Sequence, residues 1–355
     1  MRAAELVFVG IPGPELDRKT SALLAEHRPG GVVLFERNIK EIEQLHDLVR
    51  ALRKVVPEAV LAVDAEGGEL DRLKDMVGPA PSASLLARHA PSLSLQAGQW
   101  IGRAMRLFDL DMDFAPVVDL DRGENGNALE GRYLGKTPDQ ILPRAQAFLR
   151  GLHTGGVGGC LKHFPGLGGA GEDTHLSMSC VYLPTEELRT DLAPFQSLAR
   201  LAGAVMVAHA IYPAYDGSSL PATLSPRILG GLLRGRLGFD GLALSDDLEM
   251  KALASWGDLP ERAQASFAAG CDVVLLCHTL EALPAVVERL AGPSLADRVA
   301  EAWRRFDTYR QRLRTLRDAR DYMSHMREST RGERLETIQM ALEQIRESAG
   351  REGRG

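Results

Sequence analysis

Residues 157–175 read VGGCLKHFPGLGGAGEDTH, an apolar run that ends in charge and then in glycine. The first part has the near-continuous hydrophobicity of a strand buried on both faces. Lys162 and His163 stand at its end, and four glycines and a proline follow within Pro165–Gly171, a composition that breaks regular structure. The same juxtaposition recurs along the chain. Asp64 follows LAV, Asp119 follows APVV, His209 follows VMVA and Asp246 follows LALS. Eight apolar runs carry the pattern: Leu6–Ile11, Gly31–Phe35, Ala59–Val63, Asp111–Val118, Val157–Lys162, Ala204–His209, Gly241–Ser245 and Val273–Cys277. Amphipathic stretches such as Glu41–Val56, Leu95–Leu107, Asp139–Thr154, Thr185–Leu201 and Pro226–Leu237 lie between them, with Asn38, Ser94, Thr137, Thr185 and Ser225 where N-caps are expected. Strands alternating with helices, with functional side chains after strand C-termini, predict an α/β fold of the (β/α)8 TIM-barrel type. A dinucleotide-binding doubly wound sheet wants GxGxxG after its first strand; VGIPGPELD puts proline there instead.

The chain has 355 residues, 42 Lys+Arg against 48 Asp+Glu, and a formal net charge of −6, which disfavours coating of a nucleic-acid backbone. No apolar run reaches the roughly 18–20 residues of a membrane span. The first residues, MRAAELVFVGIPGPELD, read as a strand rather than a signal peptide, and Cys160, Cys180, Cys271 and Cys277 lack CxxC spacing. Reduced core thiols and a cytoplasmic location are therefore expected. Residues 1–315 are assigned to one catalytic barrel and 316–355 to a charged helical extension, whose final RESAGREGRG is expected to be disordered. Leu335, Ile338, Leu342 and Ile345 form one narrow apolar stripe, for a helix lying back on the barrel or for self-association.

Two segments can carry chemistry. In the glycine-rich loop, expected to be a mobile lid over about 166–174, Asp173 and His175 are spaced for a carboxylate to orient an imidazole. A phosphate cradle would need GxxxxGK[ST], and here the lysine is at the wrong end. In LALSDDLEM (242–250), one of two adjacent carboxylates can face the barrel axis while the other caps the next helix. The axial one could be a nucleophile or a metal ligand. No GxSxG is present, and no acidic or histidine cluster has metal spacing, so neither a metal nor a cofactor is expected.

Taken together, GGVVLFERNI (30–39), AVDAEGGELDRL (62–73), DFAPVVDL (113–120), EGRYLG (130–135), KHFPG…EDTH (162–175), MVAHAIYPAYD (206–216) with PATLSP, and LLRGRLGFDGLALSDDLEM (232–250) resemble glycoside hydrolase family 3, in its single-domain bacterial β-N-acetylglucosaminidase branch. The resemblance implies retaining hydrolysis of terminal β-linked N-acetylglucosamine. Asp246 would be the nucleophile, and His175 with Asp173 the acid/base dyad in place of the usual second carboxyl. It further implies that Asp64, Arg132, Lys162, His163 and, less directly, His209 bind the sugar, and that the substrate is an N-acetylglucosamine-containing glycoside or a muropeptide of cell-wall recycling. Two residues depart from the family pattern: Glu69 replaces an arginine after AEGG, and Leu167 replaces the histidine of PGHG. Those departures favour one alternative, a sugar-binding or regulatory barrel with impaired turnover; a histidine acid/base, which repels an anionic acceptor less than a carboxylate would, leaves a second, a phosphorylase using the same covalent intermediate.

Overall fold

The computed structural model describes residues 2–123, 129–171, 178–323 and 331–352. In chain order its strands are β1 (Val7–Gly10), β2 (Gly31–Leu34), β3 (Val60–Val63), β4 (Met112–Asp113), β5 (Gly158–Gly159), β6 (Leu161–Phe164), β7 (Ser179–Cys180), β8 (Ala204–Val207), β9 (Ala210–Ile211), β10 (Leu242–Asp247) and β11 (Val273–Leu276). Nine of them form one sheet in the order β5-β4-β3-β2-β1-β11-β10-β8-β6, and every pairing is parallel. β5 and β6 flank Cys160 and are one run of chain, so the two ends of the sheet meet and the barrel closes with eight strand positions. A bridge between Val117 and Lys162 completes the seam. β7 and β9 make a separate small parallel pair.

The eight expected strands are all present, most of them shortened by a residue or two. The fourth departs most: of Asp111–Val118 only Met112–Asp113 form a ladder. Pro116 has no N–H to give, so beyond β4 the run is held by scattered bonds such as Cys160 N–H to Ala115 C=O at 2.9 Å and Val118 N–H to Lys162 C=O at 2.9 Å.

The helices used below are α3 (Lys74–Val77), α5 (Pro91–Leu107), α6 (Pro138–Gly155), α7 (Thr185–Ala202), α10 (Ala296–Met323) and α11 (Arg331–Glu352), numbered with the shorter α1 (Arg18–His27), α2 (Ile42–Val55), α4 (Ala83–Leu86), α8 (Leu259–Ala269) and α9 (Leu283–Leu290). Pro226–Leu237 is helical, but over Arg227–Arg236 it has the wider π geometry. Of the expected caps, Thr137 precedes α6, and Ser225 Oγ accepts the Ile228 N–H at 3.1 Å. Ser94 instead lies inside α5, which starts at Pro91 because proline suits a first helical turn. Asn38 accepts from the Phe35 N–H and donates to the Ile11 and Gly13 carbonyls, tying two loops, while Glu41 precedes α2. Thr185 is the first residue of α7 rather than its cap.

The boundary expected at 315 falls inside α10, which is continuous across it. Tyr309 and Leu313 of α10 are buried, and the Tyr309 hydroxyl donates to the Gly159 carbonyl at 3.0 Å. α11 lies against α5 and α3, with Ile338, Leu342, Ile345 and Ala349 buried and Leu335 half-buried. The apolar stripe is thus covered by the same chain, in keeping with the expectation of a helix lying back on the barrel. All four cysteines are free thiols, three of them buried. No helix among the described residues is long and apolar enough to cross a membrane.

One packing feature was not read from the sequence. α5 and α6 cross through facing glycine pairs, Gly98 and Gly102 against Gly151 and Gly155. A Cβ on Gly98 would lie 2.2 Å from the Phe148 carbonyl oxygen, and one on Gly151 would lie 2.3 Å from that of Leu95. Backbone cannot yield as a side-chain tip can. Gly98→Ala and Gly151→Ala should each destabilise by roughly 1–3 kcal/mol or more, as overpacking does. Gly230→Ala, with nothing within 4 Å of the added carbon, should change little. Urea unfolding of the three variants checks this; a wild-type midpoint for Gly98→Ala would mean that the glycines do not set the crossing.

Candidate functional site

The C-terminal ends of the strands converge on two groups of side chains. The first surrounds Lys162 of β6. Its ammonium is buried and contacts Asp64 Oδ1 at 2.7 Å and Glu66 Oε1 at 2.6 Å. Glu66 in turn accepts a two-pronged contact from Arg132, Nε to Oε2 and Nη2 to Oε1, both at 2.8 Å. Asp64 and Glu66 reach the same cation because residues two apart in an extended chain point to one side. Burial alone would raise the Glu66 carboxyl, but Lys162 and Arg132 outweigh it and hold it at about 2. Burial would lower the Lys162 ammonium; Asp64 and Glu66 more than offset that and raise it. Asp64 remains partly exposed to the mouth.

His163, beside Lys162, is fixed by Asp119. Its Nδ1 lies 2.8 Å from Asp119 Oδ2, and the His163 and Leu167 N–H groups also donate to that carboxylate. Asp119 therefore orients the ring and anchors the start of the glycine-rich loop. Residues 165–168 and Ala170 are buried. Gly168 answers to close approach, and Gly166 both to close approach and to a left-handed backbone that glycine tolerates. A Cβ on Gly168 would lie 1.9 Å from the Leu120 carbonyl oxygen, and one on Gly166, at φ 127°, 2.6 Å from Asp191 Cβ. Asp173 and His175 lie outside the described residues.

The second group surrounds Asp246 on β10. Asp246 is half-buried, and one carboxyl oxygen accepts the Asp247 N–H at 2.8 Å, which fixes its direction. Asp247 does not cap a following helix, as the sequence suggested. Its Oδ1 accepts the Glu249 N–H at 3.1 Å and the Cys277 N–H at 3.3 Å, tying the end of β10 to that of β11. Burial pushes the Asp247 carboxyl up to about 6. The Asp247 carbonyl faces His209 Nε2 at 2.9 Å, and His209 Nδ1 lies 2.7 Å from Thr223 Oγ1. Burial lowers the His209 pKa, so the ring is neutral at pH 7. Its Nε2–H donates to the Asp247 carbonyl, while the Thr223 hydroxyl lies between His209 Nδ1 and the Ala208 carbonyl, to which it donates at 2.8 Å. Burial pushes the Cys160 thiol up, outweighing the nearby Lys162 ammonium.

Paired carboxylate and cationic groups suit a polyol, whose hydroxyls both donate and accept. The structure brings Asp64, Arg132, Lys162, His163, His209 and Asp246 to the barrel mouth. Sequence reasoning missed Glu66, and gave Asp119 and Thr223 no role. The spacing Asp64-x-Glu66 was the available signal. The departures also have places: Glu69 is almost fully exposed and pairs with Lys74 at 2.9 Å, outside the cluster, whereas Leu167 is a core residue that keeps its backbone bond to Asp119. Among the described residues no group of three or more His, Cys, Asp or Glu is spaced to hold a metal ion.

Residues 2–308 match the family model described as glycosyl hydrolase family 3 N terminal domain. A β-hexosaminidase of Alkalilimnicola ehrlichii is 38% identical over 300 residues, 81% of this chain and 84% of that protein. One from Pseudomonas aeruginosa is 36% identical over 318 residues, covering 87% and 95%. Among solved structures, a family 3 β-N-acetylglucosaminidase from Paenibacillus superposes with TM-score 0.84 at 32% identity, over 95% of this chain and 67% of that one. NagZ from Neisseria gonorrhoeae superposes with TM-score 0.78 at 30% identity, over 96% and 97%.

The depressed Glu66 carboxyl links the cluster to acid stability. Its contribution is fully present above the ordinary value of 4.5 and is lost as pH falls through about 2, on the order of 3 kcal/mol in all. Glu66→Gln, which cannot ionise, should be clearly less stable than wild type at pH 7, and the gap should narrow towards pH 2. Denaturant titrations of both proteins at pH 7, 4 and 2.5 test this. A gap independent of pH would contradict the pairing.

Proposed function

The chain belongs to glycosyl hydrolase family 3 and is a glycoside hydrolase, and from that premise we propose that it is a retaining β-N-acetylglucosaminidase acting through Asp246. The observation that carries the reading is that Asp246, its carboxylate fixed by the Asp247 N–H, and the Asp64–Lys162–Glu66–Arg132 cluster both lie at the C-terminal ends of strands in one parallel barrel. The names of the relatives supply the sugar. Asp64, Lys162, Arg132 and His163 hold hydroxyls of the terminal residue, and His209 acts on the turn that carries Asp246. An Asp246 oxygen attacks the anomeric carbon as the glycosidic C–O bond breaks and His175 gives a proton to the leaving oxygen. His175 then takes a proton from water, which attacks the same carbon and releases the Asp246 carboxylate. Asp173 orients the ring and stabilises its imidazolium. The reading extends to muropeptides of cell-wall recycling in the cytoplasm, as the family resemblance implies.

A chromogenic β-N-acetylglucosaminide, assayed with and without phosphate, tests the activity. Free N-acetylglucosamine is the expected product in both; the sugar 1-phosphate in the phosphate arm would establish phosphorolysis instead, and no turnover in either would leave a binding barrel. Asp246→Ala should lower kcat on the order of 10⁴-fold, as loss of a nucleophile does elsewhere. His175→Ala should slow glycosides with poor leaving groups far more than activated nitrophenyl ones, since only the former need the proton. An unchanged ratio between the two substrate types would remove His175 from the proposed role.

A further inference from the structure

Asp113 closes β4 and is fully buried, level with Val63 of β3 in the ladder. Its Oδ1 accepts the Ala65 N–H at 2.9 Å, and its Oδ2, equally buried, has no hydrogen-bond partner among the described residues. Ala65 sits between the two carboxylates that hold Lys162. The other backbone bonds of that segment go to the return strand: Glu66 N–H to Leu70 C=O and Arg72 N–H to Asp64 C=O, both at 3.0 Å. The bond to Asp113 is thus the lateral restraint that ties the Asp64–Glu66 segment to the neighbouring strand.

We infer that Asp113 is a positioning residue for the sugar-binding cluster: a single acceptor oxygen, on the Ala65 N–H, sets where Asp64 and Glu66 meet Lys162. The inference rests on the reading of that cluster as the sugar site. A fully buried carboxylate with one donor is poorly compensated; the neutral carboxyl costs less, leaving one unpaired O–H instead of an unpaired charge. Burial, with Asp64 and Asp71 nearby, outweighs the Ala65 bond and Lys162 and pushes the Asp113 carboxyl well above its usual range. The charge is therefore dispensable and the carbonyl-type acceptor is not. Asparagine supplies that acceptor; alanine does not.

The test compares Asp113→Asn and Asp113→Ala with wild type in hydrolysis of a chromogenic β-N-acetylglucosaminide, with amide hydrogen exchange at Ala65 followed in parallel. Hydroxyls remote from the reacting carbon bind alike in ground and transition state, so their misplacement appears in KM. Asp113→Asn should keep KM and kcat within about twofold of wild type, while Asp113→Ala should raise KM on the order of tenfold with a smaller change in kcat. The Ala65 amide should exchange faster in the alanine variant alone. An alanine variant with wild-type KM, or an asparagine variant with KM raised as far as that of alanine, would overturn the inference. If Asp113→Ala does not fold, Asp113→Ser, too short to reach Ala65, takes its place with the same expectation. Should wild type not cleave the glycoside, the hydrolase reading fails separately, and exchange still decides: protection at Ala65 equal in all variants overturns the role of Asp113.

Discussion

A buried ammonium organises this barrel mouth. Taking Lys162 out of water costs several kcal/mol unless its charge is matched at contact distance. Asp64 and Glu66 bring one negative charge more than Lys162 needs, and Arg132, paired to Glu66, offsets it, so two anions and two cations close a balanced set. The four side chains come from three places in the chain: the end of β3, the long connection after β4, and β6. The parallel order of the sheet puts β3, β4 and the β5–β6 run side by side. Removing any one member leaves a buried charge without its partner. That constraint explains why the connections on this side of the barrel can be long and still hold a defined surface.

The opposite side is held by backbone rather than by charge. Asp247 gives its N–H to Asp246, its carbonyl to His209 and its carboxylate to the Glu249 and Cys277 N–H groups. The amide of the next residue gives the Asp246 carboxylate one direction with a donor that has no rotamers of its own to lose. Under the proposed reading the Lys162 cluster offers charge-assisted hydrogen bonds to sugar hydroxyls and the β10 end presents a carboxylate.

Strand-end polarity made the barrel readable. Asp64, Lys162, His163, His209 and Asp246 all follow or close apolar runs, and all reach the mouth. Residues that act at second hand were not readable. Glu66 drew no role, because nothing in AEGG says that its carboxylate folds back onto Lys162. Asp113 drew none either, because its partner is a backbone N–H from the segment after β3, distant in sequence. The glycines at 166 and 168 suggested freedom, yet Asp191 and the Leu120 carbonyl leave no room for a side chain there. Composition records that a position is small, not whether space or motion requires it. The α5–α6 glycine pairs were overlooked for the same reason. The C-terminal stripe gave the correct face of α11, but a stripe alone does not name what it covers.

The central claim is that Asp246 forms a covalent bond to the sugar. It is tested most directly by rapid quenching of the His175→Ala variant during turnover of an activated β-N-acetylglucosaminide, followed by peptide mapping by mass spectrometry. Without its base for water, that variant should accumulate the glycosyl-enzyme. The account predicts the added mass of one N-acetylglucosaminyl unit, through an ester, on the peptide containing Asp246. The same mass on a peptide without Asp246, or turnover with no labelled peptide at any quench time, would contradict it.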